Sequence, residues 1–221
     1  MRFFYHCIMK TAVIAGASGL VGRELASLLA HDHRYGSVVL LVRKPLQLDL
    51  PNTRQLLFDY ENPDYSQVSG DEFYCCLGTT IKKAGSEENF YRVDYQYVLE
   101  TCRGAVSNGI RKIACISSMG ANPHSRIFYN RTKGEMEEAL KKLPVDSLHI
   151  IRPSLLLGNR SEFRRGERIA QIIMTRFSFL IPQNYRAIHA EKVARAMIYL
   201  VNRGRPGIHI HESGELASVP N

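Results

Sequence analysis

The chain has 221 residues, of which 45% are apolar, and a formal net charge of +8 at pH 7 with a pI of about 9.3. This apolar content excludes a disordered chain, and no uninterrupted apolar run approaches the ~18 residues of a membrane span. The basic residues are scattered and no nucleic-acid-binding motif is present, so specific nucleic-acid binding is not expected. We therefore expect a soluble, cytoplasmic protein of one domain.

Apolar runs and helical patterns alternate over the first 153 residues. Strands are predicted at residues 10–16, 37–43, 54–60, 72–78, 111–118 and 147–153. Helices are predicted at residues 20–31, 89–109 and 128–143. Continuous apolar strands interleaved with helices indicate a parallel sheet that is covered on both faces, with right-handed crossovers. The predicted fold class is therefore α/β, a doubly wound, Rossmann-like parallel sheet.

The alternation weakens after Pro153. Residues 154–185 are irregular and then partly helical, a helix is predicted at 191–204, and a short strand at 207–212. No linker separates the two parts. We therefore expect a single domain made of a dinucleotide-binding core (10–153) and a small substrate-side lobe (154–221). Residues 1–8 precede the first predicted strand and are not assigned a role in this domain organisation.

The cysteines show no metal-ligand spacing. Their number is odd, and no C-x-x-C pair occurs among Cys7, Cys75, Cys76, Cys102 and Cys115. Several lie in apolar strand-like runs, where a free cysteine behaves as a small hydrophobic residue. We interpret them as reduced thiols in a reducing compartment and expect no metal site.

The first strand and the first helix are joined by GASGLVG, a G-x-x-G-x-x-G variant of the dinucleotide fingerprint. One glycine would make the tight turn, one would admit a pyrophosphate, and one would let helix and strand pack closely. An ordinary turn of small residues gives the same pattern, but its place after the first strand favours the nucleotide interpretation. The candidate phosphate-binding residues are Gly16, Ser18, Gly19, Leu20, Val21 and Gly22.

Two cations follow the second strand at the place where sites specific for NAD carry an acidic residue. These are Arg43 and Lys44 in LLVRKP, and cations there would bind a 2′-phosphate. The alternative is a basic loop without a ligand. Asp59, at the end of the third strand, would contact the adenine amino group, or it would cap a turn in DYENPDY.

A tyrosine, a lysine and a pair of serines are predicted to meet at the carboxyl edge of the sheet. Ser117 and Ser118 end the fifth strand, and Tyr129 and Lys133 are one helical turn apart. A neighbouring ammonium lowers the pKa of a phenol, which could then act as proton donor, while a serine hydroxyl orients a carbonyl. An exposed helix that carries Tyr-x-x-x-Lys by chance is the alternative.

These motifs resemble the short-chain dehydrogenase/reductase superfamily. Longer stretches, among them YCCLGTTIKKAG, FYRVDYQYVLE, SSMGANPHSRIFYNRTKGEMEEAL and IIRPSLLLGNRSEFRRGE, resemble its atypical branch, the reductases related to the human Tat-interacting oxidoreductase. The likeness covers nearly the whole chain after Met9.

The resemblance implies NADPH/NADP+ as cofactor. Besides the glycine turn and the two cations, it implies four further residues that contact the cofactor: Leu77, Gly78, Leu156 and Arg164. It also implies that Tyr129 and Lys133 are the active-site pair, with Lys133 holding the ribose. Extended-branch enzymes often place the active hydroxyl one position after a serine pair, and that position is Met119 here. This leaves Ser117 and Ser118 as alternatives, of which Ser118 is preferred.

The sequence therefore predicts an NADPH-dependent oxidoreductase that reduces a carbonyl or a related small substrate. The alternative is an NADPH-binding sensor or scaffold whose surface binds protein partners and which has little catalytic activity. Apolar residues of the C-terminal lobe would line the substrate pocket, among them Phe163, Ile172, Ile173, Met174, Phe177 and Phe179. Neither the substrate nor an oligomeric state can be assigned from these residues.

Overall fold

The computed structural model describes residues 9–158 and 185–220. The strands are β1 (Lys10–Ala15), β2 (Tyr35–Val42), β3 (Thr53–Leu57), β4 (Glu72–Cys75), β5 (Lys112–Ile116), β6 (Ser147–Arg152), β7 (Leu156–Leu157), β8 (Ile188–His189) and β9 (Gly207–Glu212). The described helices are α1 (Leu20–Ala30), α2 (Ile81–Ala84), α3 (Glu87–Tyr91), α4 (Val98–Ser107), α5 (Phe128–Leu140), α6 (Ala190–Asn202) and α7 (Ser213–Ser218). None of these helices is long and apolar enough to cross a membrane.

Seven strands form one parallel sheet in the order β3-β2-β1-β4-β5-β6-β9. The chain starts at β1, proceeds outward to β2 and β3, and then crosses to β4 on the other side of β1. The strand order therefore reverses between β1 and β4, and the carboxyl ends of the strands open a crevice there. The α/β doubly wound fold predicted from the sequence is confirmed.

Each face of the sheet has its own apolar core. On one face, α1 and α6 pack through residues such as Leu25, Leu29, Val193 and Met197. On the other face, α4 and α5 pack through residues such as Val98, Cys102, Met136 and Leu140. Burial on both faces explains why the central strands read as continuous apolar runs.

The last strand lies in the main sheet. The sequence assigned residues 207–212 to a C-terminal lobe, but β9 pairs with β6 in parallel register from Ser147↔Gly207 to Arg152↔Glu212. Helix α6 likewise contributes to the core on the α1 face. Much of the predicted lobe is therefore part of the core, because the helix and the strand complete one more right-handed crossover unit.

The long helix predicted at 89–109 contains a π-helical segment. Helix α3 continues through Arg92–Tyr97 in π-helical geometry and then into α4. Such segments occur frequently at functional sites. Here the segment contains Asp94, a carboxylate with 1% exposure.

The cysteines in the described chain are free thiols. Cys75, Cys102 and Cys115 are fully buried, and Cys76 is partly buried. The predicted core position is confirmed for Cys75, Cys102 and Cys115, while Cys76 lies at the edge of the core.

Candidate functional site

The glycine turn lies at the carboxyl end of β1, beside the crevice. Gly16 has a φ of +86°, and a Cβ there would lie 2.5 Å from the Cys76 carbonyl carbon and oxygen. A Cβ on Gly22 would lie 2.2 Å from the Gly16 oxygen. These distances are too short for any side chain, so both glycines are required for the close packing of turn, helix and neighbouring strand.

The amino terminus of α1 is exposed at this edge and carries no acidic side chain. Gly19 is the N-cap, has no side chain to cap the helix, and is followed by a first turn without acidic residues. The N–H groups of the first turn therefore have no partner within the helix, and the positive end of the helix dipole points at the crevice. This end can bind an anionic group such as a phosphate. Ser18 and Gly19 are both exposed there.

Arg43 and Lys44 follow β2 directly, so they lie at the carboxyl edge next to β1. Both side chains are exposed, and within residues 9–158 and 185–220 neither is paired with a carboxylate. Two cations at this edge, beside the glycine turn, can hold an anionic group such as a phosphate.

Asp59 is engaged in a turn. Its carboxylate accepts hydrogen bonds from the Glu61 N–H at 2.9 Å and from Asn62 Nδ2 at 3.4 Å. These hydrogen bonds, that of the Glu61 amide first, hold the pKa of Asp59 below its ordinary value. The geometry favours the turn-capping alternative over an adenine contact for this residue.

A buried ion pair joins α5 to the π-helical segment. Lys133 Nζ lies 2.7 Å from Asp94 Oδ1, and the two side chains are 4% and 1% exposed. The other oxygen, Asp94 Oδ2, accepts the Thr79 N–H at 2.8 Å. Asp94 therefore fixes the ammonium of Lys133 to the loop that follows β4.

Burial and charge act in opposite directions on Lys133. Burial lowers the pKa of its ammonium, but the Asp94 carboxylate and, after it, Tyr129 outweigh this and raise the pKa above its ordinary value. Lys133 is therefore a cation at every physiological pH.

Leu77 and Gly78 lie in the loop after β4 that leads to this pair. A Cβ on Gly78 would lie 3.3 Å from Asp94 Oδ1 and 3.8 Å from Lys133 Nζ. Gly78 is exposed. Gly78 therefore places no side chain against the Lys133–Asp94 pair.

The ring of Tyr129 is held by an aromatic contact. The fully buried Phe90 lies 5.3 Å from it, centroid to centroid, at a tilt of 39°. The Tyr129 hydroxyl makes no hydrogen bond within the described part of the chain. Because Tyr129 and Lys133 are at i and i+4 on α5, both point to the same side of the helix.

The two serines after β5 have different environments. Ser117 Oγ donates a hydrogen bond to the buried carboxylate of Glu137. Ser118 Oγ is the one buried side-chain nitrogen or oxygen atom among the described residues that has no hydrogen-bond partner. A buried hydroxyl without a partner costs free energy, so a native site of this kind calls for a ligand or a water that completes it.

Of the remaining cofactor contacts implied by the resemblance, Leu156 lies within the described residues and Arg164 does not. Leu156 lies in β7, which pairs with β8 through Leu156↔Ile188 and follows the carboxyl end of β6. Arg164 and the apolar pocket candidates at 163–179 lie outside the described residues.

Comparison with known proteins places the chain in a family. Rat protein HTATIP2 is 34% identical over 221 residues, covering 96% of this chain and 86% of the relative. The mitochondrial protein FMP52 of Candida albicans is 37% identical, covering 72% of this chain and 73% of the relative, and that of Debaryomyces hansenii is 30% identical, covering 87% and 88%. The chain belongs to the HTATIP2/FMP52 family. No protein-family model matches it.

Solved structures share the fold at low sequence identity. MoeE5 in complex with UDP-glucuronic acid and NAD has a TM-score of 0.71 at 15% identity, covering 92% of this chain and 76% of MoeE5. RMD from Pseudomonas aeruginosa, complexed with NADPH, has a TM-score of 0.65 at 17% identity, covering 93% and 77%. The chain has the Rossmann-like fold of these proteins.

The expected cytoplasmic location is wrong. It is contradicted by the fungal relatives, several of which are named mitochondrial proteins. Composition and thiol content could not distinguish the two compartments, because both permit reduced cysteines.

Two residues of the site were missed by the sequence reasoning. Asp94 occupies an otherwise largely apolar stretch of helix, RVDYQYVL, and a lone carboxylate there was the available signal. Glu137 is one helical turn after Lys133 on the buried face of α5, where a charged residue is likewise out of place.

Proposed function

We propose that this protein is an NADPH-dependent oxidoreductase that reduces a carbonyl or a related small substrate. The observation that carries the proposal is the unpartnered, buried hydroxyl of Ser118 at the sheet edge that also carries Tyr129 and Lys133. A hydroxyl that lacks a partner in the protein can donate its hydrogen bond to a substrate oxygen.

The residues at the crevice fit a phosphorylated dinucleotide. The exposed amino terminus of α1 would hold the pyrophosphate, and Arg43 with Lys44 would hold the 2′-phosphate. Lys133 would donate to the ribose hydroxyls, for which Gly78 leaves space. When bound, the nicotinamide cofactor supplies the hydride.

The protein's own groups would then handle the proton. Ser118 donates a hydrogen bond to the substrate carbonyl oxygen and stabilises the negative charge that develops on it. Tyr129 gives its hydroxyl proton to that oxygen, and the Lys133 ammonium stabilises the phenolate that results. Phe90 limits movement of the Tyr129 ring during this transfer.

A second function is favoured by the ion pair. The charge of Lys133 is already compensated by Asp94 at 2.7 Å, and a compensated ammonium stabilises a phenolate less than a free one. This observation favours an NADPH-binding sensor or protein-interaction protein with little catalysis, in which Lys133 serves only to hold the ribose.

Steady-state oxidation of NADPH with a panel of aldehydes, ketones and quinones distinguishes the oxidoreductase from the sensor. For an enzyme, Tyr129→Phe should lower turnover by roughly two to four orders of magnitude, the usual contribution of a positioned general acid, and leave NADPH affinity nearly unchanged. Tyr95→Phe, which removes a hydroxyl from a half-buried tyrosine of the π-helical segment, is the matched control and should keep full turnover. Tight NADPH binding with no turnover of any panel member would support the sensor instead.

A further inference from the structure

A buried carboxylate ties the serine loop to the helix that carries the tyrosine. Glu137 is 1% exposed, and its Oε1 accepts the hydrogen bond of the Ser117 hydroxyl. Arg152 binds the same carboxylate with two parallel hydrogen bonds, Nε to Oε1 at 2.9 Å and Nη2 to Oε2 at 2.6 Å. The remaining nitrogen of the guanidinium, Arg152 Nη1, donates a hydrogen bond to Glu212 Oε1 at 3.2 Å.

These contacts connect three elements at the carboxyl edge of the sheet. Glu137 is in α5, Ser117 follows β5, and Arg152 ends β6. A bidentate arginine fixes the orientation of a carboxylate, so Glu137 presents Oε1 to Ser117 in one geometry. Removing Arg152 would leave the Glu137 carboxylate buried without a counter-charge, which opposes any rearrangement that separates the two.

The backbone on both sides of Ser118 is anchored to the end of β6 and to the residue that follows this strand. The Ser117 N–H donates to the Ile151 carbonyl at 2.7 Å, and the Met119 N–H donates to the Pro153 carbonyl at 3.1 Å. The side chain of Ser117 adds a link to α5 that backbone hydrogen bonds alone do not give. The Ser118 hydroxyl itself makes no hydrogen bond within the described residues that could orient it.

We propose that Glu137, held by Arg152, is a positioning residue that acts through Ser117 to set the place of Ser118 relative to Tyr129. This inference rests on the proposed function, in which Ser118 and Tyr129 must reach the same substrate oxygen. Glu137 lies two helical turns from Tyr129, about 12 Å along the axis of α5, and so fixes the helix and the serine loop together.

Ser117→Ala is the mildest test, because it removes only the donor and leaves the Glu137–Arg152 pair intact. A small misplacement of a catalytic group lowers the rate by up to roughly a hundredfold, so kcat should fall about ten- to a hundredfold while KM for NADPH is unchanged. Glu138→Gln, an exposed neighbour on the same helix that pairs with Lys141, is the control and should keep full kcat.

A double-mutant cycle distinguishes positioning from general stability. If Ser117 acts through Ser118, then Ser117→Ala should cause no further loss of kcat in a Ser118→Ala background. An undiminished additional loss there, or full kcat for Ser117→Ala alone, would overturn the proposal. Wild-type kcat for Ser118→Ala would instead count against the proposed function.

Amide hydrogen exchange gives a readout that needs no turnover. In cofactor-free protein, Ser117→Ala should speed exchange of the Met119 amide by about tenfold or more, because the loop loses its link to α5, while amides in the centre of β5 exchange at the wild-type rate. A Met119 amide that exchanges at the wild-type rate would overturn the positioning role even if no substrate is turned over.

Discussion

Neutralising Asp94 should have a large effect on stability. In Asp94→Asn the side chain keeps nearly the same shape, and its amide oxygen can still accept the Thr79 N–H. The change therefore removes mainly the negative charge that lies 2.7 Å from Lys133 Nζ. Lys133 is left as a cation in a site where it is only 4% exposed.

The expected loss can be estimated from this burial. Removing one partner of a buried ion pair costs about 3–5 kcal/mol of unfolding free energy, because the other charge is left without compensation. For a domain of this size, 1 kcal/mol corresponds to a shift in Tm of about 2–4 °C. Asp94→Asn should therefore lower Tm by about 6–20 °C in the absence of cofactor.

Urea unfolding followed by circular dichroism measures this loss. Glu100→Gln in α4 is the matched control, because Glu100 pairs with Arg103 at 2.6 Å on an exposed surface and its loss should change stability by less than about 1 kcal/mol. Adding Lys133→Met to Asp94→Asn should restore much of the stability, since it removes the uncompensated charge. A loss of under about 1 kcal/mol for Asp94→Asn would refute the interpretation of the pair as a tightly coupled one.

Two further predictions concern the coenzyme and the pH dependence of folding. Replacing Arg43 and Lys44 with Ala should weaken NADPH binding by about tenfold or more and leave NADH binding nearly unchanged. Fluorescence titration measures both affinities, with Arg54→Ala as the control. An equal loss of affinity for both coenzymes would contradict this prediction. Burial, and after it the neighbouring His211, His209 and Arg205, lowers the pKa of His149 to about 4. The unfolded chain takes up this proton near pH 6.5, so His149 should lower the free energy of unfolding by about 1–2 kcal/mol from pH 7 to pH 4. His149→Gln should flatten this decline, and the control His124→Gln should not. An unchanged dependence of the unfolding free energy on pH in His149→Gln would contradict this prediction.

The strands and the glycine turn could be predicted because their signals are local. A strand buried on both faces is a run of apolar residues, and the turn at Gly16 must be glycine because no Cβ fits against Cys76. Tyr129 and Lys133 are likewise related by one helical turn, which the sequence shows directly.

The electrostatics of the site could not be predicted, because its partners are distant in the chain. Asp94 and Lys133 belong to different helices, and the π-helical segment that contains Asp94 has no periodicity of its own in the sequence. The difference between Ser117 and Ser118 depends on Glu137, which is brought to the strand end by the packing of α5. The place of β9 beside β6 depends in the same way on long-range pairing.

Transfer of a deuteride tests the proposed reduction most directly. NADPH carrying two deuterium atoms at C4 of the nicotinamide would be incubated with the protein and an accepted carbonyl compound, and the alcohol product would be analysed by mass spectrometry. The account predicts a product that carries one deuterium on the former carbonyl carbon, formed roughly two to four orders of magnitude more slowly by Tyr129→Phe. NADPH that binds and is never oxidised, or an alcohol formed at the same rate by Tyr129→Phe, would contradict it.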